Sequence, residues 1–253
     1  MDLRGAVVLV VGGAGGLGGQ ICRAFAREGA RIVVADRDRL DRLDRVDAVA
    51  PELRDLGAPD VLALPIDITD EASVNAAVTQ IVEARGRIDV LVNSAGWNTW
   101  VPFDDIDAMT LDLWDRLLRV NLTGPFICAR AVAPMMRQQG NGRIVNIVSI
   151  AGLSASGSSV AYAVAKAGLA HLTRCLAVGL GPEILVNGVS PGMLEGTFMS
   201  ETLTPEQIAA YRERVALKRT PELEDIAAQV VAFARTNSTT GQNIAVDAGF
   251  TYW

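Results

Sequence analysis

Ala6–Val11 is an unbroken apolar run that opens directly onto Gly12-Gly13-Ala14-Gly15-Gly16-Leu17-Gly18, and a helical pattern through Ile21, Ala24, Phe25 and Gly29 follows. Strand, glycine turn and helix in that order constrain the fold more than any other feature of the chain. The glycines let the backbone turn sharply and come close to a pyrophosphate, and the free N–H groups of a helix start favour its negative charge. A turn that was merely tight would not need five glycines in seven residues.

The same alternation runs on. Arg31–Ala35 reads as a second strand ending in Asp36, eighteen residues beyond Gly18. A carboxylate there can accept from both adenosine ribose hydroxyls and repels a 2′-phosphate, which favours NAD. Arg37 and Arg39 could instead swing toward such a phosphate. Asp38–Asp60 is highly charged and reads as a surface helix with a Pro-containing exit loop. Val61–Ile66 is a third strand, with Asp67 placed to meet the adenine edge, and Glu71–Ala84 is a helix. Val90–Val92 is a fourth strand, running into the small-residue turn Asn93-Ser94-Ala95-Gly96, which can lie against ribose and nicotinamide. Leu111–Gln138 has helical spacing and contains Asn121, Ile144–Val148 is a buried strand, and Val160–Leu180 is a helix. Leu223–Ala234 and Ile244–Val246 read as the last helix and strand.

With 253 residues, half of them hydrophobic, the pattern predicts one doubly wound α/β domain over residues 1–253. Only 5% aromatic residues and 24 glycines suit a parallel sheet under small-residue helices better than a β-sandwich. A net charge of −6 without a long basic run disfavours nucleic acid and anionic membranes as partners. We read no apolar stretch as reaching the length of a membrane span and no leader segment, and so expect a cytoplasmic protein. Cys22, Cys128 and Cys175 are expected to be buried free thiols. The single His171 has no partner motif, so no metal site is expected.

The chemistry concentrates in Val160-Ala161-Tyr162-Ala163-Val164-Ala165-Lys166, read with Ser149 thirteen positions earlier. Residues four apart on a helix share a face, so the Tyr162 phenol and the Lys166 ammonium look into the same space. A positive charge close by favours the phenolate and would lower the tyrosine pKa, so Tyr162 could act as acid or base. Such a pair occurs by chance on many helices; here Ala161, Ala163, Ala165, Ala167 and Gly168 strip the surface of bulk, as close approach by a ligand or a second helix requires. Ser149 emerges at the carboxyl end of its strand, where open α/β sheets bind ligands.

Taken together, these motifs resemble those of the short-chain dehydrogenase/reductase family over nearly the whole chain. Gly12, Gly16 and Gly18 match its Gly-x-x-x-Gly-x-Gly loop, Asn93–Gly96 its Asn-Asn-Ala-Gly turn, and Ser149, Tyr162 and Lys166 its serine and Tyr-x-x-x-Lys. Asn121 matches its fourth catalytic position, and Pro191-Gly192 the loop beside the nicotinamide. Val11 and Ser94 depart from its usual Thr and Asn, and Thr197 is displaced by one residue.

The resemblance implies a mostly parallel seven-stranded sheet and a homotetramer or homodimer formed through the two long central helices. It implies NAD held by Gly12, Gly15, Gly16, Leu17 and Gly18, by Asp36 and Arg37, by Asp67 and Ile68, and by Asn93, Ser94, Ala95 and Gly96. Tyr162, Lys166, Pro191, Gly192 and Thr197 complete that set. Ser149 would orient a substrate carbonyl, Tyr162 would exchange the proton, Lys166 would tune the tyrosine and hold the nicotinamide ribose, and Asn121 would complete a water relay.

Met193–Lys218 breaks the strand–helix rhythm, and in the family this insertion is a substrate lid. Met193, Leu194, Phe198, Met199 and Leu203 on it, with Trp97, Asn98 and Trp100 after the fourth strand and Ile150 and Leu153 after the fifth, predict an apolar pocket next to Ser149 and Tyr162. A medium-sized apolar or cyclic secondary alcohol or ketone fits that description. The Gly96-Trp97 turn leaves hydroxyacyl thioesters open as substrates, and an NAD-sensing regulator is the non-enzymatic alternative. The tail Phe250-Thr251-Tyr252-Trp253 is expected at a subunit interface.

Overall fold

The computed structural model describes residues 1–37, 49–197, 200 and 203–251. Its elements are β1 (Val7–Val11), α1 (Gly16–Arg27), β2 (Arg31–Asp36), β3 (Val61–Pro65), α2 (Glu71–Arg85), β4 (Val90–Asn93), α3 (Leu111–Leu118) and α4 (Gly124–Gln139). There follow β5 (Gly142–Ile147), α5 (Val160–Leu180), β6 (Ile184–Pro191), α6 (Pro205–Arg214), α7 (Leu223–Arg235) and β7 (Asn243–Val246). Residues 49–55 are also helical, within the charged segment expected to form a surface helix; Arg39 lies outside the described residues, as do Phe198, Met199, Tyr252 and Trp253.

The seven strands form one sheet in the order β3-β2-β1-β4-β5-β6-β7, and every pairing is parallel. Period-two alternation explains why the strands read as continuous apolar runs. Val8 and Val10 of β1 face one core, with Ile21 and Phe25 of α1 and Val230 of α7. Val7, Leu9 and Val11 face the other, with Val74 and Ile81 of α2 and Val132 of α4. A strand covered on both sides has no solvent face on which to place polar residues. The strand order reverses between β1 and β4, and the carboxyl ends of both strands open there into a crevice.

Helix ends follow local chemistry. The Asp70 carboxylate caps α2 by accepting from the Ala72 N–H, and the left-handed Gly86 (φ 75°) closes it. The Ser159 hydroxyl caps α5 by accepting from the Tyr162 N–H at 3.2 Å, which fixes the start of the tyrosine-bearing helix. Between α3 and α4 the helix widens into a π-turn over Arg119–Thr123, because the Asn121 amide donates to the Leu117 carbonyl at 3.0 Å and takes it from the regular ladder.

Two expectations need correction. α5 is long and apolar enough to cross a membrane by length and composition, with 21 residues and a mean hydropathy of 1.2. Its apolarity belongs to a core helix instead: Ala161, Ala165, Leu169 and Ala170 are buried in the fold, and Lys166 is buried among them. Cys22 and Cys128 are buried, and burial pushes both thiols up to about 12. Cys175, however, is exposed, because it falls on the outward face of α5 with His171 and Val178. Among the described residues no group of three or more His, Cys, Asp or Glu side chains could hold a metal ion.

Candidate active site

The crevice is a cavity of about 660 Å³. At one end lies the glycine turn. Gly12 has φ +81°, and a Cβ on it would stand 2.6 Å from the Ala95 nitrogen; a Cβ on Gly18 would stand 2.1 Å from the Gly12 carbonyl oxygen. No larger residue fits at either position, so the turn must be glycine for the β4 loop and the helix start to close on it. α1 begins at Gly16 after the N-cap Gly15, with no side-chain cap and no acidic residue in its first turn. Its N–H groups are therefore offered to the cavity, where an anion is favoured. Val11 offers no hydroxyl here, and the Ser94 N–H donates to the Val11 carbonyl at 3.0 Å, continuing the β1–β4 ladder.

Asp36 stands buried at the carboxyl end of β2, lining the cavity. Its carboxylate accepts from the Ala14 N–H at 3.2 Å and the Arg37 N–H at 2.9 Å, which holds it toward the glycine turn. Asp67 also lines the wall. Partial burial pushes its carboxyl up, but bonds from the Thr69 hydroxyl (2.6 Å) and N–H (2.8 Å) outweigh this and hold it below the usual range. The cradle thus fits a dinucleotide: anion site at the helix start, carboxylate for a ribose at β2, and the nicotinamide end toward β4–β6.

At that end Ser149, Tyr162 and Lys166 share the cavity wall. The Ser149 hydroxyl accepts from the Ala151 N–H at 3.1 Å and lies near enough to the Tyr162 phenol to favour its ionised form. Lys166 donates to the Ile147 carbonyl at 2.8 Å, and its Nζ is 5.7 Å from the centre of the Tyr162 ring. Burial governs both titrating groups. It pushes the Tyr162 phenol up to about 12, against the Ser149 hydroxyl, and pulls the Lys166 ammonium down to about 8. The lowering of the tyrosine pKa expected from the neighbouring ammonium is not found: burial shifts the phenol upward instead.

The buried ammonium carries a measurable consequence. Between pH 8 and 10.5 the unfolded chain holds a proton that the folded chain has shed, so stability rises by roughly 3 kcal/mol across that window and is lower by that amount below it. Denaturant unfolding of the protein without nucleotide should show wild type gaining on Lys166→Met between pH 7 and pH 10. Parallel curves for the two proteins would mean that the ammonium is solvated.

Most of the expected site residues come together. Gly12, Gly15, Gly16, Leu17, Gly18, Arg37, Ile68, Ser94, Ala95, Gly96, Pro191, Gly192 and Thr197 all line the cavity. The lid reaches the glycine turn, with the Gly196 carbonyl oxygen 3.1 Å from where a Gly16 Cβ would stand. Trp97, Trp100, Ile150, Met193 and Leu194 form the substrate end.

Three residues do not reach the wall. Asn93 is buried beneath it, its amide donating to Asn146 Oδ1 at 2.8 Å, because its side chain points from β4 into the sheet's packing layer. Leu153 lies just past the turn Ile150–Gly152 and is only half-buried, clear of the cavity. Asn121 is fully buried behind the wall, and its amide also donates to the Trp97 carbonyl at 2.7 Å while its Oδ1 accepts from the Trp97 N–H at 3.3 Å. It clamps the substrate loop from behind.

The wall also contains residues that the sequence did not assign to the substrate pocket. Phe250 stacks on Tyr211 with ring centres 5.3 Å apart and lines the cavity, so this part of the tail packs within its own chain. Arg116 and Arg214 line it too. Arg116 is an exposed position on an amphipathic helix, and nothing in its local pattern signals a pocket.

Among open parallel α/β proteins, an anion-ready helix start facing a buried phenol and ammonium defines an oxidoreductase that uses a nicotinamide cofactor. A family model described as enoyl-(acyl carrier protein) reductase matches residues 12–251. Trans-4-hydroxycyclohexanecarboxylate dehydrogenase of Sinomonas cyclohexanicum is 36% identical over 251 residues, covering 97% of this chain and 92% of that protein. A solved 7α-hydroxysteroid dehydrogenase complexed with NADH and 7-oxo glycochenodeoxycholic acid is 30% identical with a TM-score of 0.89, covering 98% of this chain and 95% of that one. The Pseudomonas aeruginosa RhlG/NADP active-site complex is also 30% identical, with a TM-score of 0.88 and coverage of 98% and 97%. The chain belongs to the short-chain dehydrogenase/reductase family.

Proposed function

We propose that the protein catalyses reversible NAD(H)-dependent hydride transfer between a secondary alcohol and a ketone whose body is medium-sized and apolar or cyclic. The observation that carries this reading is the meeting of Ser149, Tyr162 and Lys166 with the glycine turn on one continuous cavity. The bound nicotinamide supplies or accepts the hydride. Ser149 orients the substrate oxygen by hydrogen bonding and stabilises charge developing on it. Tyr162 holds the proton that is given to that oxygen during reduction and takes it back during oxidation. Lys166 carries positive charge beside the phenol and is positioned by the Ile147 carbonyl. Asn121 sets the loop that carries Trp97. Its water-relay role remains part of the proposal.

NAD is favoured over NADP by Asp36, although the relatives include complexes with either nucleotide. An assembly of two or four copies through α4 and α5 is supported by their outward Phe126, Val164 and Val178, the last 86% exposed. Hydroxyacyl thioesters are the competing substrates, given the acyl-carrier description of the matching family. The deciding experiment follows NADH formation over a panel of cyclic and aryl secondary alcohols, polyols, sugars and a hydroxyacyl thioester. Cyclic and aryl alcohols should lead; sugars or the thioester turning over faster would overturn the substrate class.

A further inference from the structure

Charge along the cavity is strongly asymmetric. Its acidic lining residues, among those described, are Asp36 and Asp67, and both stand at the end assigned to adenosine. Around the reacting groups the charged lining residues are Lys166, Arg116 and Arg214, all cations, in a chain whose net charge is −6. Lys166 is engaged with the Ile147 carbonyl. Arg116 and Arg214 are not: neither forms an ion pair with an acidic side chain among the described residues.

Both guanidinium groups are held in the same way. Arg116 lies over the Trp97 ring, 4.0 Å from its centre, and Arg214 lies over the Phe250 ring at 4.2 Å. A guanidinium held over a ring by its charge keeps N–H groups for an anion, and a carboxylate can accept two parallel hydrogen bonds from it. Their supports are themselves fixed. The Trp97 backbone is clamped by Asn121, and Phe250 stacks on the buried Tyr211. The two arginines come from separate parts of the wall, one on α3 and one at the end of α6.

We propose that Arg116 and Arg214 form an anion-recognition site and that the substrate is a secondary alcohol or ketone bearing a carboxylate. This rests on the hydride-transfer reading and narrows it. Trp97 packs against the buried cluster of Leu117, Ala151, Ala161 and Tyr162, and Arg116 lies over the Trp97 ring at the edge of that cluster. The carboxylate therefore belongs several carbons from the reacting carbon, across a ring or chain, and not on the adjacent atom as in a 2-hydroxy acid. The apolar Trp97, Met193 and Leu194 would cover the intervening carbons.

The test compares 4-oxocyclohexanecarboxylate with its neutral, similarly shaped carboxamide. Calorimetry on protein saturated with oxidised NAD, which cannot reduce either ketone, reads binding alone; NADH consumption reads turnover separately. The carboxylate should bind at least about tenfold more tightly than the amide. Arg116→Gln and Arg214→Gln should each erase most of that preference, raising KM for the acid with little change in kcat and shifting KM for the amide far less. Equal affinity of wild type for acid and amide would overturn the proposal, as would a preference that survives both substitutions. A binding preference for the acid without NADH consumption would leave the anion site standing and overturn the hydride-transfer reading for this substrate.

Discussion

Tyr162→Phe should lower both kcat and kcat/KM by roughly a thousandfold or more, within the range of a lost general acid, while NADH binding stays nearly unchanged. The phenyl ring keeps the volume of a side chain that is only 7% exposed, so the wall of the cavity is preserved. What disappears is the transferable proton and the phenol oxygen that faces Ser149. Steady-state kinetics in both directions, with NADH affinity from its fluorescence, separates the two effects. Turnover near that of wild type would remove Tyr162 from the chemistry, and a parallel loss of NADH binding would make its role structural.

The second large effect is on the choice between nucleotides. A 2′-phosphate brought to the end of β2 would meet a carboxylate that cannot swing aside, because the Ala14 and Arg37 N–H groups hold its two oxygens. Two like charges at ~4 Å repel by about 4 kcal/mol at an effective dielectric of 20. Arg37 lines the same cavity and could recover part of this. The expected preference for NAD over NADP is about a hundredfold or more in kcat/KM, about 2.7 kcal/mol. Asp36→Ala should narrow the gap chiefly by improving NADP. Both nucleotides, assayed at one pH and ionic strength, decide the matter: equal efficiencies in wild type would give control of the site to Arg37.

Local signals carried most of the fold because the chain repeats one unit, an apolar strand followed by a helix. α5 was legible from Val160 to Leu180, and Ser159 supplies the cap that starts it. The glycine turn was legible because its constraint is steric and sits within seven residues. What escaped was set by approach between distant segments. Phe250 meets Tyr211 across 39 positions, and Arg116 meets Trp97 on a loop whose backbone Asn121 holds. The direction of the Tyr162 shift escaped for the same reason: helical spacing reports a neighbouring ammonium, whereas the amount of water removed from both groups is a property of the finished cavity. Asn93 was placed on the right turn but on its inner side, since the motif does not show which way each residue of the turn faces.

The two cores meet in the sheet, but the substrate end is built mainly from residues at their margins. Trp97, Met193 and Leu194 are only partly buried, and Trp100 is 54% exposed. Substitution there removes little of the apolar contact that holds strands to helices, so drift in these positions is cheap for folding while the reacting groups stay fixed on β5 and α5. Such a chain can change what it accepts by a few surface-proximal steps without passing through an unfolded ancestor.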